Sequence, residues 1–216
     1  MAAIKTGTIV AAQALVIVVN GPKTLSEKMH ANNIDPKDVF LKTHEAEYAQ
    51  AVPEGHFRKA RIRGTLGYEY NALAQLHAVA PEVFVAPVCK VVDWEEKTVG
   101  YMSQFVVGRR LSEYYRDLDG QNRQQSIGVI RESLRQVAKT IALIHSRSLV
   151  YGDFTTDNTL ITGKSKVTLI DPDPLGLAPC PKDRDIRDFT ALARGALAEG
   201  IITQKEHDAM VLLLRR

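Results

Sequence analysis

Between Arg123 and His145 the residues Ile127, Ile130, Leu134, Val137, Ile141 and Ile144 recur at spacings of three and four. Only an α-helix of about six turns puts such a series on one side, and a stripe that long must be buried along its length. The chain is therefore expected to build a helical lobe around this segment. Two short apolar stretches follow, Thr159–Ile161 and Val167–Ile170, joined by Gly163-Lys164-Ser165-Lys166. Stretches of that length around a glycine-containing turn predict a β-hairpin.

The first half reads differently. Ala14–Val19 is rich in β-branched residues and stops at Asn20-Gly21-Pro22, which predicts a strand ended by a turn. Thr24 and Glu27 have capping-box spacing for a short helix ending near Asn32-Asn33. Asp38–Thr43 reads as the next strand and carries Lys42. From Arg63 to Leu76, the residues Leu66, Tyr70, Leu73 and Leu76 mark an amphipathic helix that includes Glu69. Val83–Pro87, Cys89–Trp94 and Val99–Val107 predict short strands of an antiparallel meander closed by Gly108. Helices are expected again near Arg187–Ala198 and Glu206–Leu214.

Composition sets outer limits. The 216 residues, 45% hydrophobic and 25% charged, suit one domain or two small lobes. Cys89 and Cys180 lie far apart with no ligand partners at short spacing, so neither a disulfide framework nor a zinc site is expected. The apolar run Ile9–Val19, interrupted by Gln13, is about half the length of a membrane span. No membrane span is expected, and a cytoplasmic location is the default, with secretion into a host cell left open. A net charge of +3 does not by itself point to nucleic acid. The cluster Arg58, Lys59, Arg61 and Arg63 reads as a solvated face or as a surface for phosphate or an acidic partner.

The chemistry concentrates between the long helix and the hairpin, in Tyr151-Gly152-Asp153-Phe154-Thr155-Thr156-Asp157-Asn158, and in Ile170-Asp171-Pro172 after the hairpin. A carboxylate and an amide five positions apart can converge from one turn, and the hairpin can return a second carboxylate beside them. Hard oxygen ligands of this kind suit Mg²⁺, which takes one or two protein carboxylates and completes its shell with water and nucleotide phosphate. One Asp would then orient an acceptor while Asn and the other Asp hold metal.

Asp153, Asn158 and Asp171, five and then thirteen positions apart, resemble the catalytic loop and metal-binding aspartate of the protein-kinase superfamily. Gly-Asp-Phe-Thr-Thr-Asp-Asn is similar to the loop of the small kinase-ATPase of the KEOPS tRNA-modification complex and, less closely, to the loops of RIO and lipopolysaccharide (Kdo) kinases. The resemblance implies an α+β, two-lobed minimal kinase-like fold. Residues 1–104 would form an antiparallel-sheet N-lobe with an αC-like helix. Residues 105–216 would form a mainly helical, truncated C-lobe. It implies Mg²⁺ and ATP as cofactors, Lys42 as the phosphate-binding lysine with Lys59 as its competitor, and Glu69 as the glutamate that orients it. Gln104, Phe105 and Val106, with Val107, would form the adenine-contacting hinge, and Asn158 and Asp171 the metal ligands. Asp153 would be the catalytic carboxylate, and Asp188, in Arg187-Asp188-Phe189-Thr190-Ala191-Leu192-Ala193-Arg194, the buried support of the catalytic loop.

Several positions depart from the family pattern. No glycine-rich phosphate loop precedes Lys42, Tyr151 replaces the usual His, Pro172-Asp173 replaces Phe-Gly, and Thr155 stands where Ser/Thr kinases usually carry lysine. Asp173 reads as a turn carboxylate or an extra metal neighbour. Only seventeen positions separate Asp171 from Asp188, too few for a long activation loop, and the usual peptide-docking helices are largely missing. The expected function is an ATP-dependent phosphotransferase acting on a hydroxyl, with protein Ser/Thr as the leading acceptor and a host protein among the candidates. The alternatives are an ATPase or binding component of a complex, or a small-molecule or sugar kinase. Nucleic-acid contact is left open.

Overall fold

Leu15–Val18 forms strand β1, in which Ile17 points into a core and its neighbours face solvent, the alternation that a half-buried strand requires. The computed structural model describes residues 15–60, 65–163, 165–173 and 183–214. The chain divides into two compact units, one made of residues 1–64 and 88–103 and the other of 65–87 and 104–216.

In the first unit β1 is followed by α1 (Pro22–Ala31), β2 (Val39–Thr43) and β3 (Phe57–Lys59), and later by β4 (Pro87–Val92) and β5 (Thr98–Gln104). The sheet order is β1-β4-β5-β2-β3. Its core joins Ile17, Leu25, Met29, Leu41, Tyr48, Cys89, Val91 and Met102. Burial pushes the Cys89 thiol up to about 12, so this cysteine packs as a hydrophobe and does not act as a thiolate.

The expectation of an antiparallel sheet is corrected, because β1 pairs with β4 and β2 with β3 in parallel, giving a mixed sheet. A parallel pair needs a crossover, and the segment between β2 and β3, with the 3₁₀ turns of Ala46–Ala51, supplies it. Two smaller corrections have local causes. α1 starts at Pro22 behind Gly21, so Thr24 lies inside the first turn and donates to Asn20 O at 3.3 Å instead of capping with Glu27. Val83–Pro87 forms no strand of its own: a turn follows the preceding helix and leaves one bridge, Phe84 to Leu169, and Pro87 begins β4. Of the basic cluster, Arg58 and Lys59 are exposed on edge strand β3, while Arg61 and Arg63 lie outside the described residues.

The second unit contains α2 (Leu66–Val79), β6 (Arg109–Arg110), α3 (Leu111–Arg116), α4 (Arg123–Ser146), β7 (Thr159–Thr162), β8 (Lys166–Leu169), α5 (Asp183–Ala198) and α6 (Gln204–Leu214). α4 buries Ile130, Leu134, Val137, Ile141 and Ile144, as its periodicity requires. β6, β7 and β8 form a small antiparallel sheet in that order. Gln136 of α4 ties the hairpin down, donating to Ser165 O at 2.9 Å and accepting from Val167 N at 3.0 Å. Gly108, ahead of β6, has a steric reason to be glycine: an added Cβ would sit 3.0 Å from Ile161 O and 3.0 Å from Thr162 Cγ2. α6 opens with a capping box between Thr203 and Glu206, a reciprocal pairing of side-chain oxygens with backbone N–H groups. Among the described residues no helix is long and apolar enough to cross a membrane.

Candidate active site

After α4 the chain turns through residues 147–150 and enters the segment 151–158, which has no regular structure of its own and is held by side chains. Asn158 is 8% exposed, and its Nδ2 donates to Asp153 Oδ2 at 2.6 Å and to Asp153 O at 3.3 Å. Only the NH₂ end of the amide can satisfy two acceptors, so these bonds fix its orientation and turn Oδ1 away from Asp153. The five-residue spacing thus closes a loop in which the amide braces the carboxylate. Thr155 serves the turn itself. Its hydroxyl accepts from Asn158 N at 3.1 Å, and its carbonyl accepts from Thr159 Oγ1 at 2.8 Å.

The hairpin delivers Asp171 to this loop. β7 begins immediately after Asn158, β8 returns with Leu169 opposite Thr159, and Ile170 N donates to Asn158 O at 3.1 Å. Asp171 is the next residue and adopts φ 54°, in the left-handed region that few side chains other than Asn and Asp tolerate. That conformation is held from both sides, because Asp173 N donates to Tyr151 O at 3.1 Å. A non-glycine residue in such a conformation marks a place where surrounding contacts outweigh local preference.

Tyr151 supplies the link between the two segments. It is completely buried, its hydroxyl donates to Ile170 O, and its ring packs on Phe84 (centroids 5.8 Å) and Phe154 (6.0 Å). Phe154 continues the series to Phe189 of α5 at 6.2 Å. Tyr151 is therefore the internal strut of the loop.

The buried aspartate that supports the loop is Asp185, which corrects the assignment to Asp188. Asp185 is 0% exposed and accepts three hydrogen bonds, from Tyr151 N (2.9 Å), Gly152 N (2.7 Å) and His145 Nε2 (3.0 Å). Gly152 at φ 83° lets two successive N–H groups converge on one carboxylate. Asp188 is 27% exposed and pairs with Arg184 and Arg187 at the surface of α5. The sequence did contain a signal. α5 buries Asp185, Phe189, Ala193 and Ala196, a stripe at spacings of four, four and three on which Asp185 falls and Asp188 does not.

Asp173 does more than end a turn, since it forms an ion pair with Arg184 of α5 at 2.6 Å. Asp157 is held from the first turn of α3, accepting from Ser112 Oγ at 2.6 Å with Arg110 3.9 Å away.

The remaining candidates are distributed over both units. Lys42 is half-buried on interior strand β2 of the first unit, while Lys59 is exposed on edge strand β3. Glu69 belongs to the second unit, is 5% exposed on α2, and accepts from Thr65 Oγ1 at 3.1 Å. Gln104 ends β5 with its N–H on Ala86 O at 2.8 Å; Phe105 and Val106 are half-buried, and Val107 is 82% exposed.

Among the described residues no three His, Cys, Asp or Glu side chains gather as a metal cage. Mg²⁺ does not need one, because it accepts one or two carboxylates and takes its other oxygens from water and phosphate. Asn158 Oδ1 and the Asp171 carboxylate are oxygen donors of the right kind, and the fixed amide orientation favours that use. No family model and no curated protein matches this sequence.

Proposed function

We propose that the chain is a Mg²⁺- and ATP-dependent phosphotransferase of minimal, two-lobed kinase-like design, acting on a hydroxyl acceptor, with protein Ser/Thr the leading class. The observation that carries this reading is the Asn158 amide clamped on Asp153, with Ile170, the residue before Asp171, tied by its N–H to Asn158 O at the end of the β7–β8 hairpin. In it Asp153 orients the acceptor hydroxyl and takes its proton, and the Asn158 bond to Oδ2 keeps that carboxylate from rotating. Asn158 Oδ1 and Asp171 would hold Mg²⁺, which when bound neutralises charge on the transferring phosphate. Asp185 acts through the backbone, as a positioning residue for the start of the loop.

Lys42 keeps the phosphate-binding role over Lys59, because a half-buried lysine on an interior strand is better fixed than an exposed one on an edge strand. Glu69 keeps the orienting role, and Gln104, Phe105 and Val106 the adenine contact. Thr155 favours a second reading, an ATPase or binding component of a protein complex. It spends its hydroxyl on the turn, at a position where protein kinases usually place a lysine.

An assay with γ-labelled ATP tests both, using the wild-type protein with Asp153→Ala and Asp171→Ala. Label transferred to a protein or added hydroxyl acceptor, and lost in both variants, supports the kinase. Free phosphate alone supports the ATPase, and a wild type that binds no ATP in a Mg²⁺-dependent way refutes the two together.

A further inference from the structure

Two neighbouring residues on the first turn of α5 grip the two segments that carry the chemistry. Asp185 accepts from the backbone N–H groups of Tyr151 and Gly152, at the entrance of the Asp153 loop. Arg184 donates from Nη1 to Asp173 Oδ2 at 2.6 Å, two residues beyond Asp171. The two segments are also joined to each other, by Asp173 N on Tyr151 O and by the Tyr151 hydroxyl on Ile170 O. The chain on either side of Asp171 is thus tied to the 151–158 loop, and both are tied to one helix end.

We propose that the Arg184–Asp173 ion pair is a positioning device that holds the backbone around Asp171 in its left-handed conformation and so sets the carboxylate of Asp171 relative to Asn158. Three observations carry it. Both side chains are largely shielded, 27% and 17% exposed, so the pair is screened less than a surface pair. Asp171 at φ 54° needs external contacts to keep that geometry. The hydrogen bond from Asp173 N to Tyr151 O closes the far end of the constrained segment, and the ion pair fixes the residue that donates it. Arg184 also lies 3.8 Å from Asp188, which keeps the guanidinium in place without competing for the closer carboxylate.

The consequence for metal binding rests on the proposed function, whereas the consequence for the backbone does not, and the experiment separates them. Asp173→Asn, Arg184→Gln, the double variant and the conservative Arg184→Lys are compared with the wild type in the full-length chain by two readouts. The first is amide hydrogen exchange at Ile170, Asp171 and Asp173, Pro172 having no N–H, with α4 as internal reference. The expected result is exchange faster by about tenfold in each single variant, no further increase in the double variant, and partial rescue in Arg184→Lys, with α4 unchanged. The second is ATP affinity with and without Mg²⁺. The single variants should lose several-fold in the Mg²⁺-dependent part and nothing in metal-free ATP binding.

Unchanged exchange at 170–173, or additive effects of the two single changes, would overturn the device. Altered exchange with the Mg²⁺-dependent part intact would overturn its link to Asp171. A wild-type protein that binds no nucleotide in a Mg²⁺-dependent way would sink the proposed function, while the exchange comparison would still decide whether the pair holds the segment.

Discussion

Replacing Asp185 by Asn isolates what the buried carboxylate does. The side chain keeps its shape, but one of its two oxygens becomes an NH₂ group. In the wild type Oδ1 accepts from Gly152 N and Oδ2 from Tyr151 N and His145 Nε2, all at 3.0 Å or less. An amide must therefore set its NH₂ against at least one N–H donor. At minimum one charge-assisted bond is lost and a buried donor is left facing a donor, while the bonds that remain go to a neutral acceptor. A charge-assisted bond contributes about 1.5–3 kcal/mol and a buried unsatisfied group costs about 1–3 kcal/mol, so with partial relaxation the loss should be about 2–4 kcal/mol. At a urea m-value of about 3 kcal/mol/M this moves the midpoint down by about 1 M. Far-UV circular dichroism is the suitable probe, because α2 to α6 belong to the second unit and dominate the helical signal. Asp188→Asn is the control. Its closer partner, Arg187, is 72% exposed and Arg184 stands 3.8 Å away, so the expected cost is at most about 1 kcal/mol. Equal losses in the two variants, or an Asp185→Asn midpoint indistinguishable from wild type, would refute the assignment of the supporting role to Asp185.

Two further predictions concern the Asn158–Asp153 clamp and the Thr203–Glu206 cap. Asn158→Asp places a second carboxylate where Nδ2 now donates to Asp153 Oδ2, so the two groups share a proton and the folded-state affinity for that proton rises. The native variant then binds more protons than the unfolded chain. Its stability deficit against wild type should be full at neutral pH and shrink as pH falls through the carboxylate range, as urea titrations at a series of pH values would record; a pH-independent deficit would count against the clamp. In α6 the N–H of Thr203 holds the Glu206 carboxyl below its usual range, with the Thr203 hydroxyl and Arg135 assisting. That contribution is present above the ordinary glutamate range and is lost as pH falls through the lowered value. Glu206→Gln should therefore narrow the wild-type advantage at acid pH in the same titrations, and a constant difference would contradict it.

What could be read from the sequence was whatever depends on local period and spacing. The stripe of α4, the β7–β8 hairpin and the five-residue step from Asp153 to Asn158 all arise within a few residues of each other, and the structure keeps them. Strand partners were not legible in the same way. β1 pairs with β4 across more than seventy residues, and nothing in Leu15–Val18 encodes the direction of that pairing. β3 escaped notice because Arg58 and Lys59, charges suited to an edge strand, hide a three-residue element. Val83–Pro87 has strand composition, yet its position directly after α2 commits it to a turn with one bridge at Phe84. In the candidate site, resemblance led to the conspicuous Arg187-Asp188-Phe189 run, while the deciding factor was burial on the face shared by Asp185 and Phe189. The strut formed by Tyr151 was hidden for another reason: a substitution away from a familiar residue shows what is lost, and only the packing against Phe84 and Phe154 shows what replaces it.

The most direct test of the central claim is the equilibrium affinity for ATP, measured by titration calorimetry with and without Mg²⁺, for the wild type, Asp171→Asn and Asn158→Ala. If Asn158 Oδ1 and Asp171 hold the ion, Mg²⁺ should tighten wild-type binding, and each substitution should remove at least about tenfold of that gain while leaving metal-free affinity in place. Wild-type binding that ignores Mg²⁺, or variants that retain the full gain, would contradict the account.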